Sequence, residues 1–496
     1  MLVLPFFAVL SLAPLLQGLF DFPLQAAFQS VIFFSCLLWL FRIQNLRFNV
    51  PDCGILNLES GILNLKSVGI RIAAFAVLAL TFYSMLTSPV RALVWPEWGN
   101  LAAGFLIFIF SGFLSPDERK KTDGALRIAA WGTAVLAVIQ ALVLKTPQIA
   151  ASLANPNALA LFVVMLLPLA VSWKDWWLAG TLLVILIWTQ SAGAAMALIA
   201  AAGFYMHRTI RAAEFKKNLP LFILLAAAII LAFSRVPSQS FVHRLLWWKS
   251  AMLIFLSRPF FGFGHAAFTF VYPAYRVTMP GDMGSIYAHS YYLEFLAENG
   301  LVCAALWFGL LVYAVKQKAG LAKYSLIGAL THCVIDFGLS VPANFWIFCY
   351  LAAPEEHRST EAQAGSWQPS FAFVALLAAA WLNLCFTHNR ALRAQVAGVA
   401  CYDGGDFTAA ENKFKEALEI ENGPAPLEAL GEIEYRQARE TNDKGTLFSA
   451  AVFFERALIL NPYSAPAYRN LAAVYRVAGE DRLLKGLEER KKRFFK

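Results

Sequence analysis

FVHRLLWWKSAMLIFLSRPFFGFGHAAFTFVYPAYRVTMPGDMGSIYAHSYYLEFLAENG, residues 241–300, is a polar stretch caught between long apolar runs. It sets arginines, histidines, tyrosines and a Gly-Phe-Gly turn beside segments that offer no polar partners. A chain that lives in lipid keeps such groups only where they meet water, one another or a ligand. The chemistry is therefore expected between Arg235 and Gly300, with membrane-spanning helices on either side.

Of 496 residues, 59% are hydrophobic and 15% charged; a soluble domain sits near ~45–50% and ~25%. The excess falls in runs of about 15–20 apolar residues, long enough to cross a bilayer core as helices. Spans are read at 3–20, 25–42, 69–87, 98–115, 125–144, 156–172, 176–190, 192–206, 218–234, 300–316, 324–339, 342–353 and 369–386. The N-terminus lacks a basic n-region and a small-residue cleavage site, so 3–20 reads as a retained span. The expected fold is all-α: a polytopic helical membrane protein of about 12–13 spans followed by an α-solenoid tail. Its parts are an N-terminal pair with its loop (1–68), a main membrane domain (69–386) carrying the large loop 235–299, and the tail (389–496).

The net charge of +9 is not a nucleic-acid footprint, because the basic residues sit in short loops between spans. Arg42/Arg47/Lys66, Arg119-Lys120-Lys121, Arg208/Arg211/Lys216/Lys217 and Lys316/Lys318/Lys323 all thread to one side. The positive-inside rule makes that side the cytoplasm, with the N-terminus on it. Loop 235–299 and the tail then face outward. The near-repeat GILNLES–GILNLKS at 54–67 reads as a short amphipathic piece on the inner surface. The seven cysteines have no paired spacing, and neither a disulfide framework nor a metal site is expected.

Residues 389–496 turn to Ala, Glu, Leu and Arg with helical periodicity. Gly405-Asp406-Phe407 through Ile420, Phe454 through Pro462, and Ala465 through Glu480 carry small residues at helix crossings, a Gly turn and a following Pro. That is the tetratricopeptide pattern, with an insertion near Glu440–Gly445. Such an array serves as a helical spacer or binds a protein partner.

Segment 241–256 reads as an amphipathic helix in the outer interface, Trp247 and Trp248 at headgroup depth and Arg244 and Lys249 reaching water. Arg244 either anchors the helix or offers a planar fork to a phosphate. Arg258-Pro259 ends the helix. Gly262 and Gly264 allow a tight turn or a close approach, and Tyr272 and Arg276 add an aromatic face and a charge suited to sugars beside phosphates. His289 stands at the water-accessible start of the next helix, as a general base on a hydroxyl or as a flanking surface histidine. Asn155-Pro156-Asn157 reads as a helix cap with Pro in the first turn. His332 and Asp336, four apart in an apolar run, are expected on one helix face, as an internal tie or a functional pair.

Arg244 followed by Trp248, then Pro259, Gly262, Gly264, Tyr272-Pro273, Ala288-His289 and Glu298-Asn299-Gly300, resembles the O-antigen ligase / O-antigen polymerase superfamily. The resemblance spans 70–353, is sharpest at 241–302, and extends to Asn155-Pro156-Asn157 and Pro168. It implies a metal-independent, cofactor-free transfer of a glycan from an undecaprenyl pyrophosphate carrier to an acceptor hydroxyl. The acceptor would be lipid A-core, a growing glycan or a protein, on the outer face of the bacterial inner membrane. It implies that His289 activates the acceptor or organises the site and that Arg244 holds the pyrophosphate, with Arg258 and Arg276 as further candidates. Trp248, Gly262, Gly264, Tyr272, Ser290 and Glu298 would shape the loop or touch the glycan. Two positions depart from the pattern: Ala192 follows Ser191 where many members have arginine, and Ser290 follows His289 where many have asparagine. A flippase would instead spread polar groups along many spans; a membrane-anchored docking scaffold would need one or two spans.

Overall fold

The computed structural model describes the backbone of residues 3–19, 21–47, 58–153, 155–209, 238–278, 284–354 and 371–495, with side chains missing from that description only at 40–47, 58–68, 207–209, 238–239 and 371–378. Among these residues every regular element is a helix and none is a strand. In the membrane domain, α1 is Val3–Leu12, α2 Phe22–Arg47, α3 Leu58–Leu86, α4 Arg91–Ser111, α5 Pro116–Val138, α6 Pro156–Ser172, α7 Trp176–Thr189 and α8 Ala192–Thr209. Beyond them lie α9 Ser238–Ser257, α10 Phe268–Tyr275, α11 Tyr291–Gln317, α12 Ala322–His332, α13 Pro342–Ala352 and α14 Phe371–Asp403. The tail adds α15 Phe407–Ile420, α16 Pro424–Thr441, α17 Lys444–Leu460, α18 Ala465–Ala478 and α19 Asp481–Phe494.

Local signals set many of these ends. Ser115 accepts from the Glu118 N–H while Glu118 reaches back to Ser115, closing a capping box before α5. Asn155 accepts from the Asn157 N–H at 2.8 Å with Pro156 in the first turn of α6, as expected. Asp406, Asp443 and Ser464 cap tail helices in the same way.

Among the described residues, five helices are long and apolar enough to cross a membrane, over Phe22–Trp39, Gly69–Leu86, Arg91–Ser111, Pro116–Val143 and Tyr291–Gln317. Shorter apolar helices at Val3–Leu15, Pro156–Ser172, Trp176–Thr189 and Ala192–Met206 complete a multi-pass bundle. In it α12 packs against α6 and α8, α13 against α4, α3 against α11, and α14 against α2.

Four expected spans take a different form. The 3–20 run breaks at Ala13, where the chain tightens into short turns through a positive-φ Gly18. The 324–339 run stops at His332, so His332 and Asp336 do not share a helix face; Asp336 lies in the connection to α13. Where a span was expected at 369–386, one helix, Phe371–Asp403, runs without interruption into the tail. The 300–316 run begins earlier, at Tyr291, with a break at Gly300. Residues 58–67 of the near-repeat belong to α3, and the 218–234 span lies outside the described residues.

The tail is a stack of antiparallel pairs: the end of α14 with α15, α16 with α17, and α18 with α19. The irregular spacing near Glu440–Gly445 comes from an 18-residue α16 that ends on a left-handed Asn442. The stack rests on the large loop. Tyr463, buried, packs its ring 5.9 Å from Phe263 and 6.4 Å from Tyr275, and Trp95 Nε1 donates to Glu421 at 3.2 Å.

Candidate functional site

The loop is built around two backbone contacts. Gly264 N–H donates to Glu298 O at 2.8 Å and Leu301 N–H donates to Pro259 O at 2.8 Å, lacing 259–264 onto the break in α11. Ser84 of α3 donates to Phe261 O at the same junction. The contact is so close that a Cβ on Gly262 would stand 2.2 Å from Glu298 O, and one on Gly300 would stand 2.2 Å from Phe260 O. Glu298 itself accepts from the Phe268 N–H at 3.1 Å and lies 3.4 Å from His265 Nδ1. Tyr272 is buried and stacks on Phe268 at 5.2 Å. Gly262, Gly264, Tyr272 and Glu298 therefore shape the loop from inside rather than presenting a surface to a glycan.

On that frame, α9 and the 285–291 segment close over the connection after α12. Arg244, expected to reach water, points inward and is 9% exposed. Its Nε donates to Ile335 O at 3.1 Å, its Nη1 to Ser240 O and Oγ at 3.3 and 2.6 Å, and its Nη2 lies 3.7 Å from Asp336 Oδ2. The outward expectation failed because α9 is covered on this face by the α12–α13 connection, which its own periodicity does not reveal. Asp336 Oδ2 also stands 3.9 Å from His289 Nδ1, and Asp336 Oδ1 accepts from the Phe337 N–H at 2.8 Å. One buried carboxylate thus faces both an arginine and a histidine.

His289 is held on every side. Trp247 stacks on its ring at 4.5 Å and 25°, Phe337 meets it edge-on at 5.0 Å, and Trp248 Nε1 donates to its carbonyl at 3.1 Å. Its backbone is left-handed, with φ 50°, a conformation non-glycine residues adopt rarely and often at functional positions. Nδ1 is buried while the side chain keeps 17% of its surface, so the accessible edge carries Nε2. Asp336 Oδ2, at 3.9 Å, is beyond hydrogen-bond length from Nδ1, which has no hydrogen-bond partner among the described residues; the carboxylate acts on the ring as a nearby charge.

His332 is fully buried, with Nε2 3.4 Å from Ser191 Oγ and its ring against Gly193. The Ser191-Ala192-Gly193 turn thus meets the end of α12, one turn below Asp336. Asn344 Nδ2 donates to Ala158 O at 2.9 Å and to Gly338 O at 3.2 Å, so the Asn155 cap belongs to the same end of the bundle, with Asn155 and Asn157 bonded to each other. Ser290 is buried at the start of α11 without a capping bond. Arg276 follows α10 with its guanidinium against Gly284. Arg258 is not part of this group. It donates to Thr87 O at 3.3 Å and covers Phe263 at 5.2 Å, and fourteen residues of chain along α9, roughly 20 Å at helical rise, separate it from Arg244.

Sequence reasoning passed over Glu294. Its Oε2 accepts from the Ala288 N–H and its Oε1 from Ser340 Oγ, each at 2.7 Å. Tyr291 N–H adds bonds to Cys333 O and Asp336 O, both 3.1 Å. One carboxylate therefore pins the His289 segment to the Asp336 segment. A lone acid in the apolar run Tyr291–Leu296 was the available signal. Glu294→Ala strands both donors and is expected to cost about 1–3 kcal/mol, read as a lowered unfolding temperature; an unchanged melt would refute the clamp. Among the described residues, no group of three His, Cys, Asp or Glu is placed to hold a metal.

Residues 177–308 match the family model described as O-Antigen ligase. The matched stretch runs from α7 into α11 and contains Ser191, Arg244, Glu294 and His289; His332, Asp336 and the tail lie beyond it. No curated protein matches the chain.

Proposed function

We propose that this membrane protein is a glycosyltransferase of the O-antigen ligase type, moving a glycan from an undecaprenyl pyrophosphate carrier to an acceptor hydroxyl. The observation that carries the reading is His289, stacked on Trp247, partly accessible, with the Asp336 carboxylate 3.9 Å from its Nδ1. The match over 177–308 supports the reaction class.

In this reading Nε2 of His289 takes the acceptor hydroxyl proton as that oxygen bonds to the anomeric carbon. The bond from that carbon to the carrier breaks, and its electron pair leaves on the pyrophosphate. Asp336 balances the imidazolium that forms. Arg244 already donates to Ile335 and Ser240 and faces Asp336, so it positions the carboxylate and has little left for the leaving group. Arg276, whose guanidinium lies against Gly284, is a further cation candidate for the departing charge. The chemistry needs neither metal nor nucleotide sugar. The basic clusters on the loops support a reaction on the outer face of the bacterial inner membrane, with the tail on that face as a tetratricopeptide-like module for a protein partner.

The test is transfer from a purified undecaprenyl pyrophosphate-linked glycan in liposomes, with lipid A-core, a glycan primer and a protein supplied in parallel as acceptors. His289→Ala is expected to lower the rate by about 10²–10⁴-fold; the acceptor that becomes labelled separates ligase, polymerase and protein glycosyltransferase. Undiminished transfer by a folded His289→Ala protein would move the active centre elsewhere. Movement of intact donor across the bilayer without transfer would identify a flippase.

A further inference from the structure

The long helix α14 carries a basic face at the point where it leaves the membrane, and nothing in the proposed reaction uses it. Its bundle face is apolar: Trp381, Cys385 and Leu392 pack against Phe22 and its neighbours. His388 lies 4.6 Å from the Phe22 ring and 5.1 Å from Trp95. Trp95, Trp98 and Trp381 cluster here, with ring centroids 5.8 and 6.0 Å apart, as aromatic side chains do at a membrane–water boundary. His388 therefore marks the boundary.

Arg390 and Arg393 follow two and five residues later, roughly 3 and 8 Å farther along the axis, which is headgroup depth. At about 100° per residue both lie on the side of α14 away from His388 and hence away from the bundle. They are exposed, and no hydrogen bond or ion pair engages either among the described residues. They edge a groove of about 270 Å³ between α14 and α15, floored by Ala394 and Ala397. Lys413 stands on the far wall, already paired with Glu416 at 2.7 Å. Three cations and one carboxylate line this small groove.

We infer that this groove binds the headgroup phosphate of an anionic phospholipid. Two guanidinium forks suit phosphate oxygens, and their depth, their direction and the surplus positive charge fit a lipid in the leaflet next to the tail. Basic residues at this depth attract anionic lipid in general; the groove predicts one retained molecule rather than a diffuse cloud. The inference depends on the membrane reading and not on the transfer reaction.

Native mass spectrometry of the full-length protein released from mixed micelles tests it. Phosphatidylglycerol is expected to stay bound at one copy while phosphatidylcholine does not. Arg390→Gln/Arg393→Gln should lower that occupancy by roughly tenfold or more, with an unchanged unfolding temperature because both side chains are exposed. Arg456→Gln/Arg469→Gln, the same charge change farther along the tail, should leave it intact. Equal loss in both pairs, equal retention of phosphatidylcholine, or retention that survives Arg390→Gln/Arg393→Gln would overturn the site. Preference for a phosphorylated lipid A over phosphatidylglycerol would also overturn it, making the groove an acceptor site.

Discussion

Asp336→Ala is expected to damage the protein more than removal of either side chain it faces. Two effects combine. Arg244, 11% exposed at its side chain, would lose the one carboxylate within ion-pair reach among the described residues. A buried charge stripped of its partner typically costs about 3–5 kcal/mol, so the unfolding temperature should fall by many degrees. His289 would lose the negative charge 3.9 Å from its Nδ1. Transfer should then fall at least as far as in His289→Ala, on the order of 10²–10⁴-fold. Asp336→Asn separates the two effects. It can still accept from the Phe337 N–H, so it should retain more of the fold than alanine while losing the charge that balances an imidazolium. An Asp336→Ala protein with native melting and turnover would remove the carboxylate from the site altogether.

Gly300→Ala should be, with Gly262→Ala, among the most damaging single-methyl changes at the described glycines. Gly300 sits at φ 75°, ψ 174°, a region open in practice to glycine alone, with a strain of about 1–3 kcal/mol for other residues. The new methyl would also stand 2.2 Å from Phe260 O, and forcing that apart adds about 1–3 kcal/mol. The contact displaced is the lace between 259–264 and α11, so the loop carrying α10 should detach as the helix straightens. Gly309→Ala in the same helix is the control. Nothing lies within 4 Å of its added Cβ, and helix propensity favours alanine there by up to ~1 kcal/mol. Thermal unfolding of the two variants should move in opposite directions; equal melts would mean that the tight junction at Phe260 is not maintained.

The helices and many of their ends were legible because their causes are local. Asn155 caps α6, Pro259 follows the end of α9, and Gly405-Asp406 separates two tail helices, each through residues within one turn. The site was only half legible. His289 and Arg244 were recognised as residue types, yet the partner that organises them, Asp336, was assigned to a helix that ends four residues before it. Arg244 was read as wet because α9 alone is amphipathic; the surface that covers it arrives from about ninety residues away. The Gly-Phe-Gly and Glu-Asn-Gly motifs look alike as ligand loops and as backbone joints, and only their meeting distinguishes the two. Glu294 was missed because both of its bonds depend on where other segments fold.

The unbroken α14 has a mechanical meaning. Many enzymes hold accessory modules on slack tethers, whose reach is statistical and grows with the square root of their length. Here thirty-three residues of one helix, about 50 Å at helical rise, run from beside α2 into the tail like a strut, and Tyr463 against Phe263 and Tyr275 braces it from the side. Cargo seated on the tail would be held at a set height and azimuth above the lipid, as on a crane with its boom locked. Selection among acceptors would then be a matter of length: a molecule whose hydroxyl hangs a few ångströms too short or too long would miss His289 however tightly it was held.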